Sequence, residues 1–588
     1  MDDLTLTLDA VQAEAASIQA SERQIVLAGP GSGKTEVVAA LVSHLVDDEG
    51  LNAAEDLLVI SFSRAAVEAV ARRVRDDAGR SGTSVRTLDS LAARILGTQA
   101  GIEWEAMSFD ERIRRAATEV AQHGFELGED LDHVVVDEVQ DIVGDRATLL
   151  LALLAALPDD TGFTLLGDPA QGIYDFQLEG EASLTSQDLL VRAQGLGDVT
   201  ARELTGQYRA RTRDARGAAR LRSEILAGNG VDAVDDFAAS VTPIASLDEL
   251  VPLIRRWAGS TAILTRTNGE ALLVAAALDD VGVLATVRAP ASEQHVAPWL
   301  GQMLADRAER VVDRATFAAL AVETRVPRAP DDVWLAARSL ADARTPVVET
   351  PRLAARLAGG VAIPVALTDT TRTPVVISTI HRAKGLEFDN VVIVDRKARE
   401  DDDVQAEARA SYVALTRARA LIARVRGPET WNLRRDERTR RWIKRGRERW
   451  QTTGIEIRGD DLDRTAPAGT NLVLSQSRIQ DLRPGSELTM RLDPRESFDL
   501  PVYDVYSDDV LVGRTSQAFG ADLAARVGPA STRKRGSPSW PFLARARVAA
   551  IETVCGPPTG DGVGRWGMWL GVRPTGLLTI RWKDDLDA

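Results

Sequence analysis

"QIVLAGPGSGKTEVVAA", residues 24–40, passes from an apolar run into a glycine-rich turn and then directly into a lysine-led helix. The run that ends at Ala28 reads as a buried strand. Gly29, Gly31 and Gly33, with Pro30 and Ser32 between them, allow the backbone to turn several N–H groups toward one anion. Lys34 and Thr35 open the helix, whose N-terminus favours phosphate. The lysine suits the β and γ phosphates of a nucleotide and the Thr35 hydroxyl suits Mg2+. Ala28 fills the first slot of the pattern in place of glycine. An ordinary strand-to-helix turn has no need of the lysine–threonine ending.

"LDHVVVDEVQD", residues 131–141, supplies a second half. Its apolar positions make another buried strand, and two adjacent carboxylates follow at the carboxyl end, where open parallel sheets put their chemistry. Asp137 is placed to hold a Mg2+ shell and Glu138 to orient and deprotonate an attacking water. Neighbouring acids on a loop are commonly just solvated. After "VVV" and downstream of a phosphate loop, that bland reading loses weight.

The bulk composition bounds class, not function. A chain of 588 residues exceeds one core, and 44% apolar with 27% charged residues is ordinary for a globular protein. The net charge of −16 argues against a surface that is basic everywhere, although a local basic track is enough for phosphate contacts. One cysteine, Cys555, excludes an intramolecular disulfide framework and leads to the expectation of a reducing, cytoplasmic setting. The histidines are scattered without zinc-type spacing. The start, "MDDLTLTLDA", lacks the basic and apolar regions of a signal peptide, and no run reaches a membrane span.

With "DEVQD" in view, the chain resembles superfamily 1 helicases of the UvrD/Rep/PcrA type over about residues 4 to 425. The resemblance rests on ordered motifs. "LDAVQAEA" is similar to the adenine-reading motif, with Gln12 as the glutamine. "VISFSRAAVEAVARRV" (59–74) and "VRTLDSLAARIL" (85–96) resemble motifs that contact single-stranded DNA, which implicates Ser61, Phe62, Arg64, Thr87 and Asp89. In "LLGDPAQGIYDF" (165–176), Gln171 would sense the γ-phosphate, while Tyr174 and Phe176 would offer faces to bases. "LTGQYRA" (204–210) gives Tyr208 as the adenine-stacking residue and Arg209 as an arginine finger. "VVISTIHRAKGLEFDNVVIVD" (375–395) carries Thr379, His381 and Lys384 toward DNA and the coupling path, and Glu387 toward the nucleotide sugar. "EARASYVALTRAR" (407–419) gives Arg417 as the second finger.

The resemblance implies an α/β fold of two RecA-like P-loop NTPase lobes, parallel sheets flanked by helices, followed by a small C-terminal β-rich domain. Lobe 1A would span 1–203, with a short 1B-like insertion at 97–133 that contains the helical stretch 109–125. Lobe 2A would span 204–430, with a reduced 2B-like or helical segment at about 300–374 and a strand–helix unit at 262–288. Arginines on a second lobe would engage ATP only when the lobes close, which makes a stepping motor. Several positions depart from the family pattern. Glu36 stands where an arginine sandwiches adenine, Asp89 where histidine is frequent, Gln207 where asparagine is frequent, and Gln177 in an arginine's place.

Residues 431–465 form a basic Arg/Trp-rich linker. "RRDERTRRWIKRGRER" (434–449) holds nine Arg and Lys against three acids. It reads equally as a phosphate-tracking segment with Trp442 and Trp450, or as an arginine-rich helix packing its tryptophans. Residues 466–588 alternate in β fashion, and 482–523 resembles HIRAN domains, small barrels that hold DNA ends; a barrel for protein contacts fits equally. The expected activity is ATP- and Mg2+-dependent translocation on single-stranded DNA or on DNA with a single-stranded tail, 3′ to 5′, with unwinding. Repair, recombination or defence against foreign DNA is the expected setting, and the C-terminal β domain would meet a protein partner. The alternative is a DNA-stimulated ATPase switch that clamps DNA or a partner without processive unwinding.

Overall fold

The computed structural model describes residues 8–61, 84–98, 104, 107–125, 130–174, 183–283, 285–288, 295–361, 363–369, 374–396, 403–448, 451–527 and 540–582. By compactness the chain forms two units. Met1–Thr242, Ala383–Ile393 and Lys397–Arg424 make the first; Pro243–Arg382, Val394–Arg396 and Val425–Ala588 make the second.

The first unit is built on a parallel sheet of six strands: β1 (Arg23–Ala28), β2 (Leu57–Ser61), β3 (Ser84–Arg86), β4 (His133–Asp137), β5 (Gly162–Gly167) and β6 (Val199–Leu204). Their order is β3-β2-β4-β5-β1-β6. Strands β2, β4 and β5 are buried along their whole length, as continuous apolar runs covered by helices on both faces must be. Val134 and Val136 face one core with Ile25, Leu58 and Phe163, while Val135 faces the other with Val26, Val37 and Leu166. Because β4, β5 and β1 are neighbours, their carboxyl ends lie side by side, and the phosphate loop and the paired acids share one rim.

Within the expected 97–133 insertion, the described helix is Phe109–His123, opened by a capping box between Ser108 and Glu111. It packs between the helices Leu88–Thr98 and Asp145–Ala155, as part of the core of this unit. The grouping by compactness differs from a boundary at residue 203. Helices Arg213–Leu226, Gly230–Ser240 and Val404–Leu415 pack on one another in the first unit. The reason is chemical: side chains and backbone of 207–222 and 384–417 bond to the rim of the sheet, as described below.

In the second unit, strand Val375–Thr379 runs parallel to Thr261–Thr265 and to Thr286–Val287. Helix Asn268–Asp280 follows Thr265 and is capped by Thr267 and Glu270. The 300–374 region holds helices Pro298–Leu304, Arg314–Glu323, Pro330–Asp342 and Thr350–Ala358, with an antiparallel ladder between Val311–Asp313 and Val347–Glu349. They share a core in which Phe317 meets Trp334 edge-on at 5.4 Å.

The basic stretch corrects the helical expectation. Leu433–Arg435, Trp442–Arg445 and Thr452–Ile457 are antiparallel strands of a nine-stranded sheet that runs to Met568–Arg581, so the β region begins well before 466. Alternation decides it: Ile443, Ile455 and Ile457 enter the core, Ile443 between the half-buried Trp442 and Lys444, and the register shifts at Lys444/Arg445 before the exposed Arg445. Trp442 packs so tightly that a Cβ on Gly269 would come within 2.5 Å of its ring. Trp450 lies outside the described residues. Arg441 is buried, bonded at 2.7 Å to both Asp461 oxygens and to Asp522, so its charge is used internally. The expected strands of "PVYDVYSDDVLVGRTS" form a hairpin, Tyr503–Ser507 with Val510–Arg514; Asp508 and Asp509 turn it with positive φ of 44° and 61°.

His133 generates a test of the first unit. Buried at the start of β4, it lies 2.8 Å from the Ala20 carbonyl and 3.0 Å from the Thr164 hydroxyl. Burial pushes its imidazole down to about 4, below an ordinary value of 6.5. The folded form therefore resists a proton that the unfolded chain accepts. Stability should be full above the unfolded value and fall as pH drops from about 6.5 toward 4, by up to about 3 kcal/mol. Denaturant titrations at pH 7.5 and 5 should show this loss, and His133→Gln should shrink it.

Candidate active site

All the groups of this site belong to the first unit. The loop from 29 to 33 leaves β1 and enters helix Lys34–Asp47 through Gly33, which has φ 84° and no side-chain cap on the helix. The first N–H groups are therefore left for an anion to claim. The conformation also needs the glycines for lack of room. A Cβ on Gly31 would lie 2.4 Å from Gln207 Oε1 and 2.5 Å from Arg209 Cβ, and one on Gly33 would lie 2.5 Å from Gln12 Nε2. These close approaches carry hydrogen bonds. The Gln207 amide donates to the Pro30 carbonyl at 2.7 Å, the Tyr208 N–H to the Gly31 carbonyl at 2.8 Å, and the Gln12 amide to the Ser32 carbonyl at 2.8 Å. Gln207 thus ties its motif to the phosphate loop. Lys34 donates to the Ala28 carbonyl at 3.2 Å, and the Thr35 side chain is exposed.

Tyr208 leaves 58% of its surface exposed, and its hydroxyl bonds to Asp9 at 2.5 Å. Asp9 caps helix Ala10–Ala16 in a capping box with Gln12, so Gln12 and Tyr208 are positioned by one carboxylate.

Across the rim, Asp137 ends β4 and accepts the Glu138 N–H at 2.9 Å. Glu138 sits at φ 56°, a left-handed backbone that turns the chain sharply after the strand. Gln140 then spans two motifs. Its amide nitrogen donates to Glu138, and its amide oxygen accepts the Asp168 N–H at 2.9 Å. Gly167 makes room for this span, since a Cβ there would stand 2.5 Å from Gln140 Oε1.

Asp137, Glu138 and Asp141 crowd one buried place, and the crowding shows in their protonation. Burial and the Glu138 charge push Asp137 up to about 7. Burial opposes the Glu138 charge as well, but Lys34, Lys384 and the Gln140 amide hold it down to about 2. Glu138 is the carboxylate of the pair that stays ionised. Burial also pushes Asp141 up to about 7, although Lys384 touches it. Desolvation there costs more than one ion pair returns. Asp137 at the strand end, with the exposed Thr35 hydroxyl, fits Mg2+, and the uncapped helix end beside them fits the phosphates of a nucleotide.

Arg417 is buried and donates to Gln171 Oε1 at 2.7 Å, to the Val413 carbonyl at 3.1 Å and to the Leu386 carbonyl at 3.3 Å. Burial, together with neighbouring Arg209, draws its guanidinium down to about 10. Arg209 pairs with Glu387 at 2.6 Å and reaches the Thr416 carbonyl at 3.4 Å; Arg419 contacts the same Glu387. Gln171, Arg209, Glu387 and Arg417 are thereby brought together.

The residues expected at DNA are differently placed. Lys384 has a 7% exposed side chain, lies against Asp141, donates to the Gln171 carbonyl at 2.5 Å and sits 5.5 Å over the Tyr174 ring. Its charge serves the acid cluster, not the surface. Ser61 is fully buried at the end of β2, and Asp89 is paired with Arg146 at 2.7 Å. Thr87 caps the next helix through Ser90. In the second unit Thr379 is buried and accepts the Arg382 N–H at 3.3 Å, while Arg266 lies 3.1 Å from His381. Phe62, Arg64, Phe176 and Gln177 lie outside the described residues. Gln140, Asp141 and Asp168 are neighbours of the site that motif reading left unassigned, although Gln140 and Asp141 stand three and four residues after Asp137 and Asp168 three before Gln171. No helix among the described residues is long and apolar enough to cross a membrane.

A phosphate loop at one strand end, an acidic pair at another and arginines closing over Gln171 define a P-loop nucleoside triphosphatase. Residues 12–177 match the model of an AAA domain, and residues 374–423 match that of a UvrD-like helicase C-terminal domain. Over 75 residues the chain is 33% identical to a probable DNA helicase II homologue of Rickettsia felis and 32% identical to one of Rickettsia conorii. Each match covers 13% of this chain and 11% of the relative, so the matched part spans about a tenth of those proteins. The structure of Pif1 helicase from Bacteroides in complex with ADP-AlF3 and single-stranded DNA aligns over 71% of this chain and 92% of its own, at 13% identity and a TM-score of 0.32. Over the matched segments the chain is similar to UvrD-like helicases.

The Lys384–Asp141 pair can be tested apart from activity. Lys384→Met strands a buried acid and should lower the unfolding free energy by about 3 kcal/mol. Adding Asp141→Asn should return most of that loss in the same urea titration.

Proposed function

We propose that the chain is an ATP-dependent motor that translocates along single-stranded DNA from 3′ to 5′ and opens duplex from a single-stranded tail, in repair, recombination or defence against foreign DNA. The observation that carries this reading is the convergence on one rim of the phosphate loop, Glu138, and two arginines linked through Gln171 and Glu387. Bound Mg-ATP would supply an electrophilic γ-phosphorus and a diphosphate leaving group. Lys34, released from the Ala28 carbonyl, would neutralise phosphate charge, and Thr35 and Asp137 would hold the metal. Glu138, ionised and aimed by Gln140, would accept a proton from water. Arg209 and Arg417 would stabilise charge from the opposite side. Tyr208 would stack on the base while Gln12 reads its edge with the N–H and lone pair its capping bonds leave over. The two family models and the relatives' names support DNA as the track.

Glu138→Gln should keep ATP binding and lose about a hundredfold or more of hydrolysis; retained turnover would remove Glu138 from its role. Hydrolysis by the unaltered chain should rise with single-stranded DNA, and an unchanged rate would refute the motor. A strand-displacement assay on tailed duplex separates it from a clamp that only grips. Since Tyr208 offers one open face for a base, Glu36→Arg should add a second and tighten ATP binding roughly two- to fivefold. Equilibrium titration with a fluorescent ATP analogue checks this.

A further inference from the structure

Arg222 lies on helix Arg213–Leu226, in a stretch that matches none of the motifs, yet it reaches the centre of the site. Its Nε donates to Asp168 at 2.9 Å, where the Asp168 side chain is fully buried and that of Arg222 is 15% exposed. Its Nη1 meets the half-exposed Glu203 at 2.5 Å. The stem of the side chain passes the phosphate loop so closely that a Cβ on Gly29 would lie 3.0 Å from Arg222 Cδ.

Asp168 distributes what Arg222 anchors. Its other oxygen accepts the Gln171 amide N–H at 2.8 Å, and the Gln171 amide oxygen accepts from Arg417 at 2.7 Å. This leaves Gln171 one orientation. Turning the amide over would set its oxygen against the Asp168 carboxylate and its N–H groups against the Arg417 guanidinium, two repulsions in a buried place. The orientation therefore depends on where the Asp168 carboxylate is held, and the Arg222 guanidinium is the cation that holds it.

We infer that Arg222 is a positioning residue for phosphoryl transfer: through Asp168 it sets the orientation of Gln171 and the seat of Arg417, while its stem supports the first turn of the phosphate loop. The inference rests on the motor reading above. It places a determinant of turnover on a helix outside the motifs quoted from the sequence.

The full chain and its Arg222→Ala, Arg222→Lys and Glu203→Gln variants should be compared for kcat and ATP KM with single-stranded DNA present, below the melting temperature of each. Arg222→Ala should lose about tenfold or more in kcat with KM changed less than about threefold. Arg222→Lys, whose ammonium can still reach Asp168, should recover part of the loss, and Glu203→Gln should stay within about twofold of the unaltered chain. A kcat for Arg222→Ala within twofold, a loss equal to that of Glu203→Gln, or a loss that appears only as the variant unfolds would overturn the inference and leave the motor standing. Absence of DNA-stimulated hydrolysis in the unaltered chain would overturn the motor reading, and this role with it.

Discussion

Three carboxylates are held within five residues at the buried end of β4, and the arrangement around them follows from that concentration of charge. Asp137, Glu138 and Asp141 cannot all ionise without compensation in a place shielded from water. Lys34 comes from the phosphate loop, Lys384 from a segment far along the chain, and Gln140 binds Glu138 from within the same turn. The balance is unequal: one acid is strongly ionised and two sit near the neutral form.

The same electrostatic demand explains why the first compact unit takes in chain from three separated stretches. The parallel sheet alone would present an acidic rim. Helix Arg213–Leu226 and the segments 383–393 and 397–424 bring Arg222, Lys384, Arg417 and Arg419 to it, and each cation finds a named oxygen. Opposite practice rules the C-terminal sheet, where a run of positive charge is divided between solvent and buried pairs. Arg441 with Asp461 and Asp522, and Arg573 with Glu552, show a basic sequence whose charges are partly consumed at home.

What could be read from residues alone follows the range of the interactions concerned. The strands before the phosphate loop and the acidic pair were legible because a buried parallel strand is a continuous apolar run. A helical stretch at 109–125 was legible and is met by the helix Phe109–His123, and the β character of the C-terminal region was legible without the hairpin at 503–514 being read. The nucleotide residues were legible because their backbone demands glycine at fixed spacing. The strands in 434–445 were not legible, and the segment was read as a phosphate-tracking run or an arginine-rich helix, because its charges mask a two-residue period of which only Ile443 is strongly apolar. Arg222 and the pairing of Asp89 with Arg146 were not legible, since each depends on a partner 54 or 57 residues away with no local pattern to announce it. Ser61 and Lys384 were expected at DNA from resemblance alone, and their burial is a tertiary fact.

The separations along the chain also set a chronology. Strand β1, which carries the phosphate loop, pairs with β6, so its second neighbour exists only once residue 204 has been made. Lys384 meets Asp141 across 243 residues and Arg417 meets Gln171 across 246. During synthesis from the N-terminus the acid cluster and Lys34 are therefore made long before Lys384 and Arg417. A nascent chain of this protein passes through a long interval in which the rim of its sheet is anionic and its hydrolytic apparatus unfinished, and the last arginines to emerge are the ones that finish it.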